Sequence, residues 1–332
     1  MKILFVFTGG TIGSVAREGI IATDGSRPRA LLAAYERAFG LGFTCECVEP
    51  YTALSENNTG DTLRALCACV NKHKDRGYDG IVVTHGTDTL QYSAAALAYA
   101  FADISIPLCL VSANYPVDDT RSNAIANLRG ALRFVAEVGT AGVWVPYRNE
   151  GEATKIHAGT RLLESDAFTD RTESVLGTHC GVFEGNKPFS RNPAYRALAD
   201  KISAPGAVDF AQEASHILRV QPYPGMVYPT IDEQVHYILH GSFHSGTLNT
   251  ASDGAKRFFA EAKARNIPVF LTGVTEGDAY ESTRAFEALG ITPLPRIAPI
   301  AAYMKLWMLS LAKENVTAEL LTASLAGDIL PC

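Results

Sequence analysis

The chain has 332 residues, 47% of them hydrophobic and 19% charged, with a formal net charge of −6. That length supports a sizeable core and suggests two domains rather than one, and the lack of any low-complexity block excludes wholesale disorder. No run of Lys and Arg forms a nucleic-acid footprint, so that partner class is set aside, and no stretch approaches the roughly 20 apolar residues of a membrane-spanning helix.

The first residues, Met1 to Phe7, lead directly into Thr8-Gly9-Gly10. This apolar run is shorter than that of a signal peptide and lacks a cleavage site, so a soluble, cytoplasmic protein is expected. Seven cysteines, an odd number in a long chain, argue against a secreted disulfide framework. No cysteine pair has metal-ligand spacing; buried free thiols are the expectation.

In chain order, apolar β-rich runs alternate with helical patterns. Strands are predicted at Ile3–Phe7, Thr44–Val48, Gly80–Val83, Leu108–Val111 and Gly142–Val145. Between them fall helices at Pro28–Phe39, Thr62–Lys74, Leu90–Phe101 and Asn123–Glu137. Such alternation implies a mainly parallel, doubly wound sheet with both faces covered. A Pro- and Gly-containing stretch at 186–212 reads as a linker between a larger domain, 1–185, and a smaller α/β domain, 213–332. In the second domain, strands are predicted at Ile217–Val220, Val235–Leu239 and Val269–Thr272, and helices at Gly254–Arg265, Tyr280–Leu289 and Ala298–Ala312. Leu330-Pro331-Cys332 is expected to be unstructured. Trp307 and Met308 read as core. His236, His240 and His244 read as local histidines rather than metal ligands.

Two motifs carry chemistry. Thr8-Gly9-Gly10-Thr11-Ile12-Gly13 follows the first strand, and Thr84-His85-Gly86-Thr87-Asp88-Thr89 follows the third. Open α/β sheets bind ligands at the carboxyl ends of their strands. Glycines there let the backbone approach a substrate closely, and Thr11 and Thr87 would present hydroxyls to it. Taken alone, the first motif could be a plain strand-to-loop turn. The second could be an N-cap with ordinary polar neighbours; Thr89 is placed to cap the helix from Leu90, whose N-terminus favours an anion. His85 reads as a turn or packing residue rather than a base.

Together the two motifs make the chain resemble the bacterial-type asparaginase/glutaminase family, as a divergent member. Ala53-Leu54-Ser55-Glu56-Asn57 resembles the family's substrate-binding segment. Tyr115-Pro116, Arg121-Ser122-Asn123 and Asn127-Leu128 resemble the segment after its fourth strand. Looser likeness extends to Gly241–Thr247 and Ala302–Leu306. The resemblance implies Thr11 as nucleophile, Thr87 as second catalytic threonine and Asp88 as the partner of the substrate ammonium. Ser55 would bind the α-carboxylate, Glu56 would assist at the ammonium, and the backbone of Gly10 and Gly86 would line the site. It further implies a small amino acid amide as substrate, no metal or organic cofactor, and a homodimer or homotetramer. A partner's C-terminal domain would complete the site, with His244, Ser245 and Glu281 as candidates for that contribution.

Two departures stand out. Ile20 occupies the position of a loop tyrosine in the family, and Glu164 that of a lysine supporting the second threonine. A replacement cation within about 4 Å of Thr87 is therefore expected, from Lys155 first, then Arg161, then a residue supplied by a partner chain. The reading that results is hydrolysis of asparagine to aspartate and ammonia. Alternatives are an amidase for glutamine, a D-amino acid amide or a small peptide amide, or a catalytically weak binder of acidic amino acids. The archaeal-type tRNA amidotransferase component of the same fold is disfavoured, since no additional domain precedes Met1.

Overall fold

In the computed structural model, residues 1–10, 12, 14–17, 20–23, 28–40, 42–196, 208–274, 280–312 and 315–330 are described. For 14–17, 20–23 and 28–29 this covers the backbone alone. The first half contains β1 (Lys2–Phe7), the hairpin β2 (Ser14–Arg17) and β3 (Ile20–Thr23), α1 (Pro28–Phe39), β4 (Thr44–Val48) and α2 (Gly60–His73). It continues with β5 (Gly80–Thr84), α3 (Leu90–Ala100), β6 (Pro107–Val111), α4 (Ala124–Arg133), β7 (Gly142–Arg148), β8 (Thr154–Ala158), β9 (Gly181–Phe183) and β10 (Ser190–Arg191). The second half holds β11 (His216–Val220), β12 (Val235–Gly241), α5 (Asp253–Ala264), β13 (Val269–Thr272), β14 (Ile291–Pro293), α6 (Pro299–Ala312) and α7 (Ala318–Thr322).

The large sheet runs β10-β9-β8-β7-β6-β5-β1-β4. Strands β4, β1, β5, β6 and β7 are parallel, and β8 to β10 add an antiparallel end. Period-2 alternation divides the central strands between two cores. Leu4, Val6, Ile81 and Val83 face one, with α2, α3 and α6; Ile3, Phe5 and Val82 face the other, with Leu31 of α1 and Leu128 of α4. Burial on both faces explains why these strands read as continuous apolar runs. The small sheet, β11-β12-β13-β14, is parallel throughout. Its Phe258–Phe259 core lies on one face. On the other, Leu239 and Phe270 join the core that contains α6.

Several expectations change. The predicted helix Tyr280–Leu289 is a single tight helical turn at Glu281–Ala285, and Phe286 is the one well-buried residue near it. One anchor makes no apolar stripe, so nothing holds a longer helix against the core. The expected linker contains β10 near its start, its 197–207 portion lies outside the described residues, and the small sheet begins at His216. Leu330 is not loose: it is buried and its N–H donates to Arg296 O at 2.8 Å; Pro331 and Cys332 lie outside the described residues. Cys67, Cys109 and Cys180 are buried as expected, whereas Cys45 and Cys47 are exposed, because β4 is an edge strand. Trp307 and Met308 are core. Among the described residues, no helix is long and apolar enough to cross a membrane.

Candidate active site

Three chain segments meet at the carboxyl ends of β1 and β5. After β1, the backbone turns through Gly9 and Gly10, both with positive φ (92° and 76°). It is pinned to the segment after β4 by Gly10 N–H to Ala53 O, 2.9 Å, and Ala53 N–H to Thr8 O, 3.1 Å. The contact with the segment after β5 is tighter still. A Cβ placed on Gly10 would come within 2.3 Å of Gly86 N, and one on Gly86 within 2.4 Å of Ser55 Oγ. Gly10 is therefore required by close contact with backbone, and a side chain at 86 would displace Ser55.

That closure sets Ser55 against Asp88. Ser55 is buried, while Asp88 is exposed. Ser55 Oγ donates to Asp88 Oδ2 at 2.7 Å and accepts from Asp88 N–H at 3.2 Å. Thr89 Oγ1 donates to Ser55 O at 3.0 Å and accepts from Asn58 Nδ2 at 3.0 Å. Thr89 thus ties two loops together and makes no capping bond to α3, contrary to the sequence expectation. Among the described residues, the Thr87 hydroxyl makes no hydrogen bond, and Glu56 is exposed beside Ser55. Thr11 lies outside the described residues; its neighbour Ile12 is buried.

His85 is fully buried, as its reading as a packing residue implies. Nδ1 lies 2.8 Å from Gly86 O. A carbonyl only accepts, so Nδ1 carries the proton and Nε2 accepts, from Ser93 Oγ at 2.8 Å and Asn58 Nδ2 at 3.3 Å. Burial pushes the imidazole pKa down, against the opposing pull of the Gly86 carbonyl and Asp88. A neutral ring with both nitrogens engaged braces the turn that carries Thr87. Asn58, a member of the same brace, was not singled out in the sequence; it lies just beyond the segment that resembles the family.

The expected substitute cations are occupied elsewhere. Lys155 bridges Glu152 at 2.7 Å and Glu173 at 2.9 Å, and Arg171 joins both carboxylates. Burial lowers the Lys155 pKa, but the two carboxylates outweigh it, and the net shift is upward. A base made by burial is therefore not what this lysine becomes. Arg161 is buried, donates from Nε to Gly327 O at 3.1 Å and from Nη2 to Arg196 O at 2.8 Å, and stacks 4.6 Å over the Tyr195 ring. Glu164 is exposed, accepting from Tyr92 OH at 3.2 Å and pairing with Arg219 at 3.4 Å. No hydrogen bond or ion pair among the described residues brings a cation to Thr87. His244 and Glu281 are exposed on the second domain, and Ser245 Oγ bonds Thr247 Oγ1 at 3.0 Å. Nothing among the described residues joins these three to Ser55 and Asp88. No group of three or more His, Cys, Asp or Glu side chains among the described residues could hold a metal ion.

A two-domain α/β fold with loops converging at the carboxyl ends of parallel strands defines an open-sheet protein, the class in which ligands bind at those ends. Residues 2–186 match the model of the asparaginase N-terminal domain, and the chain belongs to the asparaginase family, a family of amidohydrolases. It is similar to a glutamyl-tRNA(Gln) amidotransferase component of Pyrobaculum aerophilum, 27% identical over 99% of this chain and 80% of the relative. In fold it resembles the thermostable L-asparaginase from Thermococcus kodakarensis, with a TM-score of 0.79, 23% identity and full coverage of both chains. It also resembles L-asparaginase I from Vibrio cholerae, with a TM-score of 0.78, 20% identity and coverage of 99% and 98%.

Proposed function

We propose that the protein hydrolyses the side-chain amide of a small amino acid, asparagine in the first instance. The observation that carries this reading is the Ser55–Asp88 pair, a hydroxyl donor and a carboxylate at 2.7 Å. A zwitterionic amino acid needs both: a donor for its α-carboxylate and an anion for its ammonium. A substrate inserted there would exchange the internal bond for two of its own, with Glu56 as a second partner of the ammonium. The Thr11 oxygen attacks the amide carbon, the C–N bond breaks, and the proton given up leaves with the nitrogen as ammonia. Water then cleaves the resulting ester and frees the acid. Backbone N–H groups around Thr87 oppose the oxyanion in both steps. A homodimer or tetramer, completed by His244, Ser245 or Glu281 of a second copy, belongs to the same proposal.

The likeness to an amidotransferase component named for glutamyl-tRNA(Gln) favours a second reading. Here the hydrolysed amide would be that of glutamine, with ammonia as the useful product. Ammonia release from asparagine, glutamine, D-asparagine and amides lacking an α-amino group decides between them. Turnover confined to asparagine supports the first reading and turnover confined to glutamine the second. Preference for amides without an α-amino group overturns the Ser55–Asp88 assignment.

A further inference from the structure

The outer face of α4 and the end of β7 line a cavity of about 320 Å³ that shares no lining residue with the Ser55–Asp88 cluster; Arg129, Arg133 and Arg148 line it together with Phe39 and Phe183. Its charges do not cancel. Arg133 is neutralised: Nε and Nη2 bind both oxygens of Glu137, Nη2 also holds Lys187 O and Nη1 holds Gly185 O, so four of its five N–H donors are used. Glu152, on the opposite wall, is claimed by Lys155 and Arg171. Arg129 donates to the neutral Asn186 at 2.7 Å and has no carboxylate partner among the described residues. The exposed Arg148 guanidinium has neither a hydrogen bond nor an ion pair among them. Two guanidinium charges therefore face one small concavity, in a chain whose net charge is −6.

We propose that this cavity binds a small phosphorylated metabolite through its phosphate dianion, gripped by Arg129 and Arg148. Two separate guanidinium forks suit a dianion with three oxygens better than a single carboxylate. Arg129 lies 4.4 Å over the Phe39 ring and Arg133 4.2 Å over the Phe183 ring. Stacking holds a guanidinium flat and leaves its edge for the oxyanion. The exposed Phe39 ring offers apolar surface to the organic part of the ligand. A volume of about 320 Å³ lies at the small end of ligand sites, which limits the occupant to a compact monoester. The proposal is independent of the amide reaction.

Calorimetric titration of the whole chain with inorganic phosphate and with phenyl phosphate, at constant low ionic strength, tests it. Saturable binding at one site per chain is expected for both probes. Arg129→Gln and Arg148→Gln should each weaken it about tenfold, the loss expected for one charge-assisted hydrogen-bonding group. Lys187→Gln, which removes an exposed charge already paired with Glu184, should leave it unchanged. Failure to saturate, arginine variants that bind like the parent, or an equal loss in Lys187→Gln would each overturn the proposal.

Discussion

Ser55 Oγ donates to Asp88 Oδ2 across 2.7 Å and accepts from the Asp88 N–H, so a buried hydroxyl and an exposed carboxylate 33 positions apart act as one unit. Removing the charge should be felt in both kinetic constants. Asp88→Asn is expected to raise KM and lower kcat together, because the ammonium contact positions the amide as well as binding it. Steady-state ammonia release checks this. A variant with unchanged kcat would confine Asp88 to binding.

The two threonines are expected to carry the reaction itself. Thr11→Ala and Thr87→Val should each lower turnover by on the order of 100-fold or more, as for loss of a nucleophile or oxyanion support. Thermal unfolding of Thr87→Val should stay close to the parent, since no hydrogen bond of its hydroxyl is lost among the described residues. Normal ammonia release from Thr11→Ala would remove it as nucleophile.

Loop closure makes a sharper test of the geometry. Gly86→Ala would put a methyl group 2.4 Å from Ser55 Oγ. Ser55 must shift, so KM should rise several-fold while the protein still folds. Gly10→Ala adds strain at φ 76° to a Cβ contact of 2.3 Å with backbone and should cost about 1–3 kcal/mol of stability. Denaturant unfolding of both variants separates the two effects.

His157 sets an acid limit on stability. Burial, then His179 and Lys155, push its pKa down to about 3. The unfolded chain binds a proton near pH 6.5 that the folded chain refuses until about pH 3. Stability from this group is therefore complete above pH 6.5 and is lost as pH falls through that window. At pH 5 the loss should be about 2 kcal/mol. His157→Asn should flatten the pH dependence of unfolding free energy between pH 7.5 and 5 by about that amount. An unchanged slope would assign the acid sensitivity to other groups.

The parallel strands were legible because burial on both faces leaves unbroken apolar runs such as Ile81-Val82-Val83, and the two motif loops because each follows such a run; that Gly10 and Gly86 bring those loops together shows only in the fold. The antiparallel end of the large sheet was not legible. Thr154-Lys155-Ile156-His157 is polar at three of its four positions and so shows neither an apolar run nor a strict alternation, and β9 and β10 have three and two residues, too few to show a period. Long-range pairing was also hidden. Lys155 looked available for Thr87, yet the carboxylate at 173 that holds it arrives through chain folding no local pattern encodes. The role of Thr89 followed the same course: its position before a helix suggested a cap, and its actual partner is the Ser55 carbonyl.

The resemblance implies that Glu164 takes the place of a lysine of the family. A cation beside a threonine hydroxyl stabilises the alkoxide, and a nearby carboxylate would oppose it. The structure turns Glu164 outward to Tyr92 and Arg219, at an exposed position. A surface pair of this kind contributes little to stability. Glu164→Ala should therefore leave both kcat and stability within about twofold and about 1 kcal/mol of the parent. Lys155→Met should behave differently. It leaves Glu152 and Glu173 with the half-exposed Arg171 as their one cation among the described residues, beside the neutral Asn149 amide, so stability should fall, while the pH profile of kcat stays in place, because Lys155 is held as a charged partner rather than a base. If instead Lys155→Met removed a basic limb from that profile with folding intact, Lys155 would be the missing support of Thr87. Its pairing with Glu152 and Glu173 would then have to break during turnover.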